Sequence, residues 1–373
     1  MAIWDPTASL SDEFFQIARN VYKEDPNWLP EDESEIRTLF GPKNPFFEVG
    51  KVWLATAGNT RLVGIFDPRV SFNEQKVAYF GFWETGDEQE VNQSLFSELE
   101  EWAKGQGADA VYGPVNFSTY QDYRLRLTFK GQHGPFPAEP YNPDSYNSLM
   151  GQLGYSVAMK WESQIMSEEQ ITFTKTVLRP MVHQQLEAGG IVIESFTPEL
   201  WLNNIENFYD LINVIWADNF GYYQIDFESF KMIFGQSLLK KLCPQSSVVF
   251  FEKDSRQLAG YFISYPDYAP LIRNGNPDRI PYNQINFKEH RPLMESPAAL
   301  GKSGAVHPKY RKVGLFSAMA VELASRASDA GYSHTIAALM RSDNPSTKIR
   351  NLLPEGLNYI QELREYGLYS KDL

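Results

Sequence analysis

The stretch that decides the fold is SGAVHPKYRKVGLFSAM, residues 303–319. An apolar run that indicates a strand leads through a basic turn and past Gly314 into a segment with apolar residues four apart. The first turn of a helix has unpaired backbone N–H groups and a partial positive charge, and a glycine there lets an anion approach. The pattern predicts a diphosphate site at a helix start, with Arg311 and Lys312 supplying positive charge. The plainer alternative is that both are solvated turn residues.

The rest of the chain is acidic, which sets this basic turn apart. The 373 residues carry 34 Lys and Arg against 47 Asp and Glu, a formal net charge of −13. Nucleic acids favour a basic surface, so we expect no nucleic-acid partner. The single cysteine, Cys243, rules out an intrachain disulfide, and the five histidines are scattered, so no metal site is predicted. With no signal-like start and no apolar run of about 20 residues, we expect a cytoplasmic protein without a membrane partner.

A neighbouring stretch imitates a phosphate-binding P-loop but fails two requirements. SPAALGKS, residues 296–303, has Ser296 where such a loop has its first glycine. It also lacks a strand-like run before it, and the residues after it indicate a strand where a P-loop would open a helix. We therefore reject a P-loop here.

The two halves of the chain repeat one order of elements: a hairpin, a strand, a helix and a strand. This order predicts an internal duplication of a unit of about 180 residues. The predicted fold class is α+β (mixed α/β), with two lobes that each consist of a mixed twisted sheet flanked by helices. We place the first lobe at 1–169, a linker helix at 170–190 and the second lobe at 191–373. An insertion at about 265–299, rich in Pro, Asn and Tyr, is either a lid or a surface excursion.

The quoted stretch resembles motif A of the GNAT N-acetyltransferase superfamily, whose loop reads Arg/Gln-x-x-Gly-x-Gly/Ala. Arg311 and Gly314 match this loop, whereas Phe316 departs from its last position. The resemblance covers about residues 191–373. It implies acetyl-CoA or another acyl-CoA as cosubstrate, held where two strands splay apart. The cofactor-binding residues that it implies are Ala305, Val306, Arg311, Lys312, Val313, Gly314, Leu315, Phe316, Asn344 and Ser346.

The first half resembles the same fold without its cofactor chemistry. Where the basic loop would stand, the sequence offers Asp87, Glu88 and Glu90 at the start of a helix. Carboxylates suit a helix start but would repel a diphosphate. The chain therefore resembles a tandem GNAT-like protein with a degenerate N-terminal lobe, and mycothiol synthases and Fem-type aminoacyl transferases are similar in having two such lobes.

The acid and base that amine acylation needs are poorly marked in the sequence. Some relatives carry a carboxylate on the strand before motif A, but residues 298–306 have none, and Glu295 is the nearest. Tyr366 stands in for the tyrosine that many relatives place after the later Asn. Both are candidate catalytic residues, and both have structural roles as the alternative.

Taken together, the resemblance implies an acyl-CoA-dependent N-acyltransferase that acetylates a small-molecule or peptide amine. Two alternatives remain open: a non-catalytic CoA-binding or regulatory protein, and a Fem- or mycothiol-synthase-like tandem transferase. An oligomer is possible, but nothing in the sequence indicates one.

Overall fold

The computed structural model describes residues 3–86, 88–217, 219–344, 346–347 and 360–373. For residues 232, 236, 237, 312, 313 and 360 it describes the backbone alone. Among the described residues, no helix is both long and apolar enough to cross a lipid bilayer.

In this part of the chain, twelve strands form one continuous sheet, which confirms the mixed α/β class. The spatial order is β1-β2-β3-β4-β12-β6-β11-β10-β9-β8-β7, with β5 pairing beside β12. The strands are β1 Lys51–Ala57, β2 Thr60–Phe72, β3 Gln75–Thr85, β4 Ala110–Gly113, β5 Leu125–Arg126, β6 Ser156–Met166, β7 Ile191–Ser195, β8 Val248–Glu252, β9 Leu258–Pro266, β10 Ala299–Val306, β11 Thr335–Arg341 and β12 Ile360–Asp372.

Helices flank the sheet. The α-helices are α1 Asp12–Val21, α2 Glu33–Leu39, α3 Gln89–Gln106, α4 Ser145–Gln152, α5 Glu168–Phe173, α6 Arg179–Ala188, α7 Pro198–Asn203, α8 Ile205–Trp216, α9 Phe227–Ile233, α10 Gln236–Leu239, α11 Ala269–Ile272, α12 Phe287–His290 and α13 Leu315–Asp329. The 3-10 turns are Pro45–Glu48, Tyr282–Gln284, Arg291–Leu293 and Pro308–Val313, and Thr174–Leu178 is a π-helical turn between α5 and α6.

The predicted duplication is visible in the pairing of the strands. In the first half the hairpin β1–β2 leads through β3 and α3 to β4, which lies parallel to β3. In the second half the hairpin β8–β9 leads through β10 and α13 to β11, which lies parallel to β10. Helix α3 packs on β2, and α13 packs on β9 and β10. Each half thus places one helix between two parallel neighbours, as a βαβ crossover requires.

Strand β12 joins the two halves. It comes from the predicted second lobe, but it lies between β4 and β6, which belong to the predicted first lobe. Ring contacts also cross the halves, because Phe220 lies 5.9 Å from Tyr79 and 5.3 Å from Tyr112, centroid to centroid. The division at 169 and 191 therefore stays a prediction, since the sheet itself does not break there.

The predicted linker and insertion both form ordered structure. The linker region contains α5, the π-helical turn and α6, and Gly189 is the C-cap of α6. The insertion docks on the first half, where the amides of Asn274 and Gly275 donate to the carbonyls of Trp28 and Pro26, both at 2.8 Å. The insertion is therefore a bridge between the halves.

Candidate functional site

Each half contains one pair of parallel strands that separates part-way along its length. Strands β3 and β4 pair only through residues 77–79 and 110–112, and the space beyond them is called the first gap. Strands β10 and β11 pair only through residues 299–301 and 335–337, and the space beyond them is called the second gap. Each strand of the second pair also shifts its register against its other neighbour where the separation begins. The shift of β10 against β9 lies between Gly301 and Gly304, and that of β11 against β6 lies between Ala337 and Met340.

The second gap exposes backbone groups of β10. The amide of His307 donates to the carbonyl of Ala259 on β9, at 2.9 Å. Because backbone groups alternate along a strand, Ala305 also faces β9, while Gly304 and Val306 face the gap. Of the two β10 residues predicted to bind the cofactor, Val306 therefore presents its backbone to the gap and Ala305 does not.

The predicted basic turn stands at the carboxyl end of β10. Pro308–Val313 is a 3-10 turn, and Gly314 follows with φ 73° and ψ 16° before α13 begins. No side chain caps the start of α13, and a Cβ on Gly314 would have no atom within 4 Å in the described structure. The left-handed backbone explains the glycine, and the open space beside the uncapped amides suits an anion.

The cations of this turn differ in what they contact. Lys309 Nζ lies 3.2 Å from Glu252 Oε1, so its charge is paired. Arg311 is exposed and forms no ion pair with any described residue, which leaves its charge available. The side chains of Lys312 and Val313 lie outside the described structure. Among the described side chains of the predicted basic cluster, Arg311 is thus the one whose charge is available to an anion.

The remaining loop residues belong to the core. Leu315 is buried beneath the turn, and Phe316 is half-buried with its ring 5.9 Å from that of Phe262. Phe262 packs beside the second gap, because a Cβ on Gly304 would lie 3.2 Å from its Cδ2 atom. The departure from the motif at Phe316 is therefore accommodated by an aromatic contact with β9.

Asn344 and Ser346 follow the carboxyl end of β11. The side-chain oxygen of Asn344 accepts a hydrogen bond from the amide of Ser346 at 3.0 Å, which shapes a tight turn. Asn344 is exposed, and Ser346 is 9% exposed. Since the carboxyl ends of parallel neighbours meet at the same edge of a sheet, this turn and the basic turn flank the second gap.

The first gap, by contrast, is filled by the chain itself. The amide of Val115 donates to the carbonyl of Phe80, and the amide of Phe82 donates to Oδ1 of Asn116, both at 2.8 Å. The backbone of Val115 lies so close to Gly81 that an added Cβ would overlap its carbonyl oxygen. Segment 115–116 thus occupies the space that is open in the second gap.

The helix start beside the first gap is also occupied. One oxygen of Glu88 accepts from the amide of Asn59 at 2.9 Å, so this carboxylate closes the β1–β2 turn. Glu90 is exposed, and Asp87 lies outside the described residues. A filled gap and a carboxylate at the helix start support the prediction that the first lobe lacks a cofactor site.

The two predicted catalytic residues do not meet at the second gap. Glu295 is exposed before the amino end of β10, whereas the basic turn follows its carboxyl end, about 23 Å further along the strand. Tyr366 lies on β12, two strands away from β11 across β6. The geometry supports neither Glu295 nor Tyr366 as an acid or base beside the second gap.

Tyr366 instead belongs to a buried polar network. Its hydroxyl donates to Glu139 Oε1 at 2.6 Å, and Arg364 pairs with Glu139 at 2.7 Å and with Glu362 at 2.6 Å. Burial and the Glu139 charge hold the pKa of the Tyr366 hydroxyl well above its usual range. Its hydrogen bond and its raised pKa indicate a structural role.

Sequence reasoning missed three charged residues beside the second gap. Lys302 lies at the register shift of β10, Arg124 is buried against Trp161, and Asp122 is close enough to act electrostatically on both. Lys302 belongs to the rejected P-loop pattern, and the other two come from the opposite half of the chain. The signal that could have found Lys302 was a lysine inside an apolar strand.

Two solved structures share this architecture over nearly the whole chain. One is a tandem GNAT protein from the clavulanic acid biosynthesis pathway, with 12% identity and a TM-score of 0.50, covering 98% of this chain and 96% of that one. The chain has the tandem GNAT fold.

The other structure contains a GCN5-related glucosamine N-acetyltransferase region of a fungal multi-domain β-N-acetylglucosaminidase. It has 10% identity and a TM-score of 0.52, and the match covers 96% of this chain but 36% of the fungal one. These identities support the fold alone, which is one that acyltransferases use.

The sequence comparisons add one relative. Protein YghO of Escherichia coli strain K12 is 22% identical over 276 residues, which is 72% of this chain and 69% of that protein. No family model matches the chain. The tandem GNAT assignment therefore depends on the three-dimensional comparison.

Proposed function

We propose that the protein is an acyl-CoA-dependent N-acyltransferase that transfers an acetyl group to a small-molecule or peptide amine. The observation that carries this proposal is the second gap. Among the described residues, the Val306 backbone has no partner on the β11 side, and the gap opens beside an uncapped helix start with Gly314 at φ 73° and an Arg311 that forms no ion pair. The residues fit an acyl-CoA cosubstrate, because the helix start and Arg311 suit its diphosphate and a strand edge suits its amide-bearing arm.

Transfer requires that the amine nitrogen attack the thioester carbon, that the C–S bond break, and that a proton pass from the amine to the thiolate. We assign Asp122 as the base in place of Glu295. It is solvent-accessible, yet neighbouring protein raises the pKa of its carboxyl, with Lys302 acting in the opposite direction. A raised pKa brings a carboxylate closer to the range in which it accepts and returns a proton.

The test compares Gly314→Asp with Gly314→Asn. Both side chains are similar in size and tolerate a left-handed backbone better than most residues do, and the space beside Gly314 is open, so both variants should fold. The carboxylate of the first would repel a diphosphate. We expect CoA to raise the melting temperature of wild type and of Gly314→Asn, and to leave Gly314→Asp unchanged.

Lys309→Ala is the control for charge, because Lys309 is already paired with Glu252. It should keep the CoA response, whereas Arg311→Ala should weaken it. Equal responses in Gly314→Asp and Gly314→Asn, or no response in wild type, would contradict the proposed cofactor site.

A non-catalytic CoA-binding protein is the second candidate, favoured by the absence of a carboxylate within β10 itself. Asp122→Asn separates the two. A transferase should keep its CoA response and lose turnover on a panel of amines, with acetyl-CoA hydrolysis as the background. Thermal stabilisation of wild type by CoA without turnover of any amine would favour the non-catalytic candidate.

A further inference from the structure

We propose that Arg124 and Lys302 form a carboxylate-binding site beside the second gap and that the acceptor amine carries this carboxylate. This inference rests on the acyl transfer proposed above and specifies its substrate class. It places a carboxylated amine, such as an amino acid or a peptide with a nearby free carboxylate, beside the second gap.

The first observation is that Arg124 is buried with two guanidinium N–H positions that have no acceptor in the described structure. The residue is 8% exposed, and its Nε and Nη1 atoms are fully buried with no hydrogen-bond acceptor in the described structure. The guanidinium carbon lies 3.6 Å from the ring centre of Tyr123 and 4.5 Å from that of Trp161. The aromatic faces hold the group in place and the Tyr123 side chain also interacts with the guanidinium, but the hydrogen-bonding capacity of Nε and Nη1 is unused among the described residues.

Arg364 shows what a structural buried arginine looks like in the same protein. Like Arg124 it is buried, with an exposed fraction of 0%. Unlike Arg124, it pairs with Glu139 and Glu362. It also donates to the carbonyls of His133 and Gly134. Its charge is therefore compensated on all sides. Arg124 forms no ion pair with a described residue, Asp122 acts on it only as an electrostatic neighbour, and its Nε and Nη1 atoms have no acceptor, which is the state expected of an arginine that awaits an anion.

The second observation is a neighbouring cation. Burial lowers the pKa of the Lys302 amine to about 8, the charge of Arg124 adds to this lowering, and the carboxylate of Asp122 opposes it. Its ammonium donates to one described acceptor, the carbonyl of Ala138, at 3.4 Å. Two cations face one carboxylate here, so the site keeps a positive charge within an acidic protein.

The site lies on the correct side of the sheet for an acceptor. Leu300 packs with Phe136 on one face of β10, whereas Ala299 packs with Ala327 of α13 on the other face. Lys302 reaches the Phe136 side through its contact with Ala138. The site therefore lies on the face opposite α13.

Arg124 lies on this same face. Trp161 and Ile165 are an even number of residues apart on β6, so they share a face, and Ile165 packs with Phe136. Trp161 is also the register partner of Arg341, at the carboxyl end of β11. Arg124, which stacks on Trp161, is therefore level with the open end of the second gap.

The carboxylate could also be carried by the acyl group, and a matched pair of thioesters separates the two sources. Succinyl-CoA and butyryl-CoA have similar acyl lengths, and only the first ends in a carboxylate. If the acceptor carries the carboxylate, both thioesters should stabilise the protein equally. If the acyl group carries it, succinyl-CoA should stabilise wild type more, and Arg124→Gln should remove the difference.

The experiment that tests the proposal itself uses acetylglycinate, which combines the product amide with a carboxylate, and its neutral counterpart acetylglycinamide. Each is titrated at millimolar concentration against the full chain, with thermal stability and calorimetry as readouts. We expect acetylglycinate to bind wild type about tenfold more tightly than the amide. Arg124→Gln and Lys302→Met should abolish this preference, and Lys309→Met, whose cation lies on the basic turn, should keep it.

Two outcomes would overturn the proposal. One is that wild type does not prefer acetylglycinate to acetylglycinamide, and a preference for succinyl-CoA in that case would assign the carboxylate to the acyl group instead. The other is that Arg124→Gln keeps the preference. A separate readout needs no ligand: in urea denaturation Arg124→Met should be as stable as wild type or more so, while Arg364→Met should be much less stable.

The CoA response of Arg124→Gln distinguishes this inference from the proposed function. Arg124 lies on the acceptor face and away from the basic turn, so the variant should keep full stabilisation by CoA. Wild-type protein that responds to CoA but does not prefer a carboxylate would overturn the acceptor site alone. If CoA does not stabilise wild type, the proposed function itself is contradicted.

Discussion

The two gaps in the sheet have the same topology and opposite contents. In the first gap the backbone of residues 115–116 bonds to β3 at Phe80 and Phe82, so protein fills the space. In the second gap β10 and β11 separate after residues 301 and 337, and no described backbone bond crosses between them beyond that point. One duplicated unit has thus kept its opening and the other has closed it.

The difference shows that when two paired strands separate, another group must bond to the backbone N–H and C=O groups that have lost their partners. Unpaired amides in a protein interior are costly unless another group satisfies them. The first gap uses its own chain, including the Asn116 side chain, and becomes structural. The second gap leaves these groups available to a ligand, which is why the cosubstrate site is proposed there.

The largest effect on stability is expected from replacing one glycine beside each gap with alanine, which adds one methyl group. Gly81→Ala would force its Cβ into the carbonyl oxygen of Val115, which is backbone and cannot move aside easily. Gly304→Ala would meet only the ring edge of Phe262, at 3.2 Å. We expect Gly81→Ala to lose about 3 kcal/mol of unfolding free energy and Gly304→Ala less than about 1 kcal/mol. Urea denaturation measures both, and equal losses would break the comparison.

A smaller effect is expected from removing the side chain that closes the first gap. Asn116→Ala leaves the Phe82 amide without the acceptor that Oδ1 now provides at 2.8 Å. An unsatisfied buried amide should cost about 2 kcal/mol in unfolding free energy. Asn116→Asp keeps the acceptor and is the matched control. The CoA response of both variants should equal that of wild type, because the first gap is not the proposed site.

The last effect is a pH dependence that distinguishes the charges beside the two gaps. Beyond its pairing with β4, β3 carries Glu84, whose carboxyl accepts from the Tyr146 hydroxyl at 2.8 Å, whereas β10 carries the amine of Lys302. Burial raises the pKa of Glu84 from 4.5 to about 7. The folded state then holds a proton that the unfolded state releases, so this group makes the protein less stable as pH rises from about 4.5 to 7.

Glu84→Gln should remove that dependence. As pH rises through this range, the unfolding free energy of wild type should therefore fall relative to that of the variant. Above this range the difference between the two should stay constant. Denaturation at several pH values measures the difference. A difference that does not change with pH would show that Glu84 is ionised in the folded protein.

Much of the fold was predictable because its signals are local. Gly58 and Asn59 between two apolar runs indicate the β1–β2 hairpin, and the apolar residues four apart after Gly314 predicted α13. The basic turn was also predictable, since a glycine with φ 73° at a helix start follows from the strand–turn–helix pattern.

The acceptor side could not be predicted, because its residues are distant in sequence. Arg124 and Lys302 come from opposite halves, and no spacing rule connects them. Glu295 was chosen for its proximity in sequence to β10, but it precedes the far end of that strand. Tyr366 was chosen for its place in the chain, yet β12 crosses into the first half and buries the hydroxyl against Glu139.

The sequence by itself determined the duplicated order of elements and the glycine and cations of the basic turn, since these depend on neighbours within about one helical turn or one hairpin. Only the tertiary structure decided which gap is open among the described residues, where β12 pairs and which buried arginine keeps unsatisfied N–H groups. Those outcomes depend on backbone pairing and burial between residues more than a hundred positions apart, and local periodicity carries no information about such contacts.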